Sequence, residues 1–499
     1  MSLDLSTLPA LLAALSPEVV LTGWSLVLLA LVAWRHDTVA DLRRAGIVTL
    51  AALATTAAAV WWLWWNMATV SGLPLMIGAD DFRFVADFII LGAAAGTVFF
   101  SFDYLEREQL VVPEFYVLLV YAVLGMLLMV AGEDLMVIFL GLELLSVSVY
   151  VLAAFNRRSA KSAEAGIKYF LLGAFASAFL VYGIAFVYGA TGTTNLQIIG
   201  LQVASLDLAT HPLLLVGVAL LVVGFAFKVA AVPFHMWAPD AYDGAPTPVT
   251  GFMATAVKAA AVAALFRVLV EAFSGVRAWG GVVSALAVAT MVVGNLVALN
   301  QRSLKRMLAY SSVAHAGYLL VAVRTASAAG GSAALLYLAA YAATTLAGFA
   351  ILAAKGRHGE HDVLIDDLAG LATERPWLAF AMAVVMLSLL GFPGTAGFIG
   401  KWYILVAAVQ TGHTGLAVVL VLTSVISAGY YLPVIMAMYM RPEPYGGAHA
   451  AAALGRWGRT ALIVAVAGLL FFGVRPNRLF DLVRTSGTAV HPAAGLSGN

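Results

Sequence analysis

Lys228-Val-Ala-Ala-Val-Pro233-Phe-His235-Met-Trp237-Ala-Pro239 interrupts an apolar run that extends over residues 212 to 242. Each proline removes a backbone donor and clashes with the preceding turn, so a helix entering this stretch must open within it. A second run, over 376 to 411, is broken by Gly391-Phe-Pro393-Gly394-Thr-Ala-Gly397. Both runs are too long and too interrupted to be single straight helices, and they occupy comparable places in the two halves of the chain. Opened backbone at membrane depth survives only where it faces protein or water. Paired breaks in corresponding positions predict inverted repeats around a transport path.

Outward from these breaks, the composition has one solvent in view. The chain has 499 residues, 63% hydrophobic and 11% charged, against about 25% charged in soluble domains. Runs long enough for the roughly 20 residues of a span recur from Val19 to Val474. Their spacing predicts an all-α polytopic membrane protein with 14 transmembrane helices. The expected spans are 17–34, 45–65, 82–100, 114–131, 134–154, 166–189, 212–242, 248–273, 277–299, 303–323, 332–354, 376–411, 415–439 and 458–474. Helices four to eight and nine to thirteen form the expected five-helix repeats, with the seventh and twelfth discontinuous. The expected divisions of this one membrane domain are 1–110 for three leading helices, 111–275 and 276–440 for the repeats, and 441–499 for a loop, helix fourteen and a tail. The first apolar stretch follows Asp4 and Glu18 instead of a basic segment, which predicts a retained helix and not a cleaved signal.

Net charge is +1 and no basic face is evident, so nucleic acid is not an expected partner. The chain has no cysteine, which excludes disulfides, cysteine-ligated iron–sulfur clusters and thiol chemistry on this chain. Lysine and arginine are lopsided between the connections: 16, from Arg35 to Arg459, lie in odd-numbered connections and 6, among them Arg83 and Arg324, in even ones. Basic residues are retained on the cytoplasmic side, so both termini are expected on the other side of the inner membrane. Trp61, Trp62, Trp64 and Trp65 then anchor the chain at the outer interface.

Ionisable groups near the bilayer centre cost roughly 2.5–3.5 kcal/mol on insertion scales, so those present mark function. Glu143 lies nine residues into helix five, about 13 Å deep at 1.5 Å per residue. Lys258, ten residues after Pro248, and His315 in helix ten are similarly central, and Lys228 and Lys401 flank the two breaks. Lys168 follows the basic stretch Arg157-Arg158-Ser-Ala-Lys161, so it either snorkels to the interface or partners Glu143. Burial disfavours the charged form of amines and carboxylates alike, which brings such groups toward proton exchange near neutral pH. Charging one lysine then disfavours charging its neighbour, and a switch in a Lys168–Glu143 pair would drive a proton along the row. His235 reads as a polar filler of the opened backbone, with a relay role the lesser alternative. Asp240 and Asp243 cap helix eight or line a vestibule, Glu133 and Asp134 end helices, and no clustered set suggests a metal.

The stretch Ala226-Phe-Lys228 through His235-Met-Trp237 to Gly244-Ala-Pro246-Thr-Pro248-Val resembles the antiporter-like membrane subunits of respiratory complex I. Within that group, Gly-Leu-Glu143-Leu-Leu-Ser, Glu164-Ala-Gly-Ile-Lys168-Tyr-Phe, Lys305-Arg306-Met-Leu-Ala-Tyr310-Ser-Ser-Val-Ala-His315 and Gly397-Phe-Ile-Gly400-Lys401-Trp402-Tyr403 resemble the subunit N branch of NADH-quinone oxidoreductase. The resemblance covers nearly the whole chain. It implies a proton relay on Glu143, Lys168, Lys228, Lys258, His315 and Lys401, with quinone reduction in distant subunits. It also implies other membrane subunits of the complex as partners, and NADH, FMN, iron–sulfur clusters and quinone held by those partners, with no cofactor or metal on this chain. Asp243 stands where the family commonly has glutamate, which leaves the charge intact. Two other readings compete: a subunit of a multisubunit sodium/proton antiporter, and a membrane scaffold that moves nothing. Lysine is a poor sodium ligand, which favours protons as the cargo.

Overall fold

The computed structural model describes residues 8–66, 76–356, 363–442 and 455–490. Fourteen helical segments run through it in order, α1 (Ser16–Trp34), α2 (Val39–Trp65), α3 (Asp81–Arg107), α4 (Glu114–Ala131), α5 (Leu135–Ala153), α6 (Ala160–Thr191), α7a (Pro212–Val229) with α7b (Trp237–Gly244), α8 (Thr247–Ala272), α9 (Ala278–Ala298), α10 (Leu304–Arg324), α11 (Ala328–Lys355), α12a (Pro376–Leu390) with α12b (Ala396–Gln410), α13 (Thr414–Met440) and α14 (Arg456–Val474); among the described residues twelve are by themselves long and apolar enough to cross a membrane, the exceptions being the more polar α10 and the two shorter halves of α12. Among the described residues there is no strand; three isolated bridges join connections. The expected spans recur with shifted ends: α2 starts at Val39, α3 runs on to Arg107 and α6 starts at Ala160. In each case the helix continues past the hydrocarbon stretch into polar residues, which side chains such as Thr38, bonded by Asp41 N–H at 3.2 Å, cap.

The two breaks are closed by the same device. After α7a, Ala230 adopts φ +62°, with Ala230 N–H donating to Phe227 O at 3.0 Å and Ala231 N–H to Ala226 O at 2.8 Å. After α12a, Gly391 adopts φ +84°, with Gly391 N–H donating to Ser388 O at 3.1 Å and Phe392 N–H to Leu387 O at 2.9 Å. Both are left-handed C-caps that satisfy carbonyls a helix end would orphan. Side chains of the broken helices and of their neighbours make further bonds at the two breaks. Val232 N–H donates to Thr290 of α9 at 2.9 Å, and Trp237 Nε1 donates to Phe227 O at 2.9 Å. Gly397 N–H donates to Ser388 Oγ at 3.2 Å, and that hydroxyl meets Thr344 of α11 at 3.0 Å.

Packing repeats as well: α4 lies along α5 and α9 along α10, while α6 packs on α7 and α11 on α12. Without a hydrophobic force between helices in lipid, small residues let backbones approach. A Cβ at Gly125 of α4 would stand 2.6 Å from Gly141 O of α5, and one at Gly317 of α10 would stand 2.7 Å from Met291 N of α9. The helix at the centre is α8, whose most apolar window is fully buried. Two π-helical turns interrupt it, Met253–Val257 directly before Lys258 and Val268–Ala272 at its end; such turns are frequent at functional sites.

The basic connections share one face, where Arg43 pairs with Glu106 at 2.6 Å and Arg107 bonds the Ala353 carbonyl at 2.5 Å. Arg83 departs from the expected picture of a loop residue on the opposite face. It lies in α3, has no exposed surface and is tied to Glu18 at 2.7 Å. Arg357, counted among the basic connections, lies outside the described residues.

Candidate functional site

Lys228, Lys258, His315 and Lys401 are all buried in the interior of the helix bundle. Lys228 occupies the last turn of α7a, where a cation meets the negative end of the helix dipole. Its ammonium donates to Ser146 Oγ of α5 at 2.7 Å and lies 5.6 Å from the ring centres of Tyr150 and Tyr169. The Ser146 hydroxyl hydrogen goes to Leu142 O, so its lone pairs face the lysine. Lys258 donates to the carbonyl and the hydroxyl of Ser312 on α10, with the Tyr341 ring 5.7 Å away. Lys401 of α12b reaches back across the second break and donates to Leu389 O and Leu390 O, each at 3.0 Å, over the Tyr318 ring at 4.7 Å. The two half-helix ends thus each present a lysine, one from the helix itself and one from its continuation.

His315 stands one turn beyond Ser312, and it is in electrostatic reach of both Lys258 and Lys401. Its Nδ1 meets the Tyr337 hydroxyl of α11, and its Nε2 meets the Tyr431 hydroxyl of α13 at 3.0 Å. Tyr431 also bonds Ser311. Hydroxyl groups that both donate and accept therefore join the imidazole to α11 and α13 and, through Ser311, back to its own helix.

Glu143 is half-buried on α5 and accepts a hydrogen bond from Ser177 of α6. Ser177, Ser146 and Lys228 line one narrow cleft between α5, α6 and α7a. Glu143 acts electrostatically on Lys228. The expected pairing of Glu143 with Lys168 is not found. Lys168, 43% exposed, pairs with Glu164 at 2.6 Å and Asp240 at 2.8 Å. The reason is register: four residues along α6 bring Glu164 beside Lys168, and the short α7b brings Asp240 over the same turn. Asp243 pairs with Lys161 at 3.1 Å and Arg306 at 3.5 Å, so the two aspartates gather the basic face into a cluster instead of capping α8. His235 bonds the Pro233 backbone within the break, as a polar filler would, and Thr290 and Trp237 satisfy further groups of the opened backbone.

The residues missed from sequence are the neutral partners Ser146, Ser177, Ser312, Tyr337 and Tyr431. Ser146 follows Glu143 by three residues and Ser312 precedes His315 by three, so each shares a helix face with an ionisable group. That periodicity was a usable signal. Among the described residues no group of three or more His, Asp or Glu is arranged to hold a metal.

The family described as NADH:quinone oxidoreductase/Mrp antiporter, TM, matches residues 132–427. The NADH-quinone oxidoreductase subunit N of Gemmatimonas aurantiaca is 42% identical, covering 98% of this chain and 96% of that one. A chain of respiratory complex I from Thermus thermophilus with bound aureothin is similar at 36% identity and a TM-score of 0.77, over 94% of this chain and 99% of that one. A chain of the Mrp complex from Dietzia, 21% identical with a TM-score of 0.84 over 96% of this chain and 98% of that one, shares the fold. Two capped helix breaks, a row of interior lysines and near full-length similarity at this identity place the chain in the antiporter-like membrane subunit family of NADH:quinone oxidoreductase, on its subunit N branch.

Proposed function

We propose that this chain is a proton-translocating membrane subunit of a type I NADH:quinone oxidoreductase. Glu143, Lys228, Lys258, His315 and Lys401 carry the proton along the bundle axis, and Lys168 joins the relay from the ion-pair cluster at the basic face. One observation supports this above the others: the three buried lysines have hydroxyls and carbonyls as partners and, among the described residues, no carboxylate within ion-pair distance. An amine paired with a buried carboxylate is locked in its charged form. One held by serine or a carbonyl keeps a hydrogen-bond partner whether it is charged or neutral, because –NH2 still donates, so it can load and unload.

The coupling runs from Glu143 inward. When Glu143 is ionised it favours the ammonium of Lys228; when Glu143 takes a proton, that support is withdrawn. Lys258, His315 and Lys401 follow in mutual electrostatic reach. Loading either lysine disfavours a proton on the histidine between them, so charge on the path moves in steps. Redox chemistry belongs to partner subunits, with NADH, FMN, iron–sulfur clusters and quinone held there. By the positive-inside rule the basic face is cytoplasmic, and both termini lie on the outer side of the cell inner membrane.

The test is Lys258→Ala or Lys228→Ala in the reconstituted complex. Proton uptake into vesicles falls together with quinone-linked turnover. An unchanged proton-to-electron ratio at full turnover would overturn the proposal.

A further inference from the structure

On the face opposite the basic cluster, α1, α3, α8 and the α4–α5 connection bring together charges the relay does not use. Arg83 donates to Glu18 Oε1 and Oε2 at 2.7 and 3.0 Å, and to the Gly78 and Ala14 carbonyls at 2.7 and 3.1 Å. Asp87, one turn deeper, is approached by Arg83 Nε at 3.4 Å. Arg267 of α8 pairs with Asp80 at 2.7 Å and Glu271 at 3.1 Å, and lies 3.7 Å from Glu133. Gly78 joins the two halves at close range, since a Cβ there would stand 2.7 Å from Glu133 Oε1 and 3.1 Å from Asp80 Oδ2.

The charges do not balance. Five carboxylates face two guanidiniums, and a guanidinium in a protein stays protonated. Glu18 already takes Arg83 with both oxygens, and Asp80 takes the shortest contact to Arg267. Asp87 has no exposed surface and neither of its oxygens accepts a hydrogen bond; Glu271 is 4% exposed and its Oε2 has no partner. An uncompensated carboxylate in such a place is expensive, and the group takes up a proton instead. A metal ion is not the alternative, because the Arg267 guanidinium already fills the centre between Asp80, Glu133 and Glu271. At the rim, outside the membrane helices, burial raises the Glu133 pKa above the usual carboxylate range, with Arg267 opposing.

We infer that this network is a proton-binding site on the face opposite the basic loops, in which Asp87 and Glu271 carry hydrogens in place of negative charge. Asp80 and Glu133, with side chains 16% and 14% exposed, connect it to bulk water. Glu271 closes the same α8 that carries Lys258 thirteen residues earlier, about 20 Å along the axis. If the transport reading above is right, the site is where a transferred proton is held before release; the binding itself does not depend on that reading.

The experiment is infrared spectroscopy of the assembled complex in H2O and D2O, for the wild type, Asp87→Asn and Glu271→Gln. A neutral amide replaces a neutral acid without change of charge, so both variants assemble to wild-type levels. Each removes one deuterium-sensitive carboxylic-acid band. Spectra identical to wild type in that region overturn the inference, and so does failure of either variant to assemble, since it would mean the arginines need the lost charge. For release, Glu271→Gln lowers the proton-to-electron ratio in proteoliposomes; an unchanged ratio overturns that role. Lys258→Ala separates the two readings. Normal pumping there with both bands assigned sinks the relay and leaves the site, whereas lost pumping with no band assigned does the reverse.

Discussion

Removing the hydroxyl of Ser146 isolates the claim that neutral partners let a buried lysine load a proton. In Ser146→Ala the ammonium of Lys228 loses its one hydrogen-bond acceptor among the described residues, at 2.7 Å, in a position 4% exposed. A hydrogen bond to a charged group contributes about 1.5–3 kcal/mol. If the loaded Lys228 lies on the path, the same amount is added to the barrier, which slows turnover about 10- to 150-fold. The truncation itself removes one oxygen from a tight contact and leaves the helix intact, so assembly is preserved. Ser148→Ala is the control: that residue is also buried on α5, but its hydroxyl bonds Leu144 O at 2.9 Å and no lysine among the described residues. Ser146→Thr, which keeps the hydroxyl, restores function. The assay is quinone-linked NADH oxidation with acidification of proteoliposomes, normalised to assembled complex on native gels. Wild-type rates in Ser146→Ala, or equal slowing in Ser148→Ala, would refute the reasoning.

Gly397→Ala places a Cβ 1.9 Å from the Ser388 carbonyl in the second break, and backbone cannot yield as a side chain tip would. Overpacking of this kind costs about 1–3 kcal/mol or more, visible as loss of assembled complex. Thr290→Val orphans the Val232 N–H in the first break, at about 1–3 kcal/mol, and lowers the thermal unfolding midpoint of the solubilised complex. Asp240→Asn leaves Lys168 with Glu164 and Arg306 with Asp243, so on this solvent-screened cluster the thermal midpoint stays close to that of the wild type. For Glu133 the sign runs against the usual acid. Its folded pKa is raised above 4.5 by burial, so its contribution is present at low pH and lost as pH rises through that raised value. Glu133→Gln should flatten stability over that range in melts taken at successive pH values, and an unaltered slope would count against it.

Much was legible in the chain itself. Solvent, helix number, both breaks and the interior positions of Lys228, Lys258, His315 and Lys401 follow from apolar run length, proline and glycine placement, and the cost of charge in hydrocarbon. These are local properties, carried by composition and by periods of a few residues. What the sequence could not decide is which side chain meets which across helices. Lys168 was open to Glu143, yet Asp240, 72 residues away, holds it because α7b folds back over α6. Arg83 reads as a loop cation and is instead locked beneath Glu18; the four-residue spacings Arg83–Asp87 and Arg267–Glu271 are local and legible, whereas the approach of Glu18, Asp80 and Glu133 to those arginines is set only by docking of distant segments. Pairing energy depends on distance and on exclusion of water, and both are set only when distant helices dock.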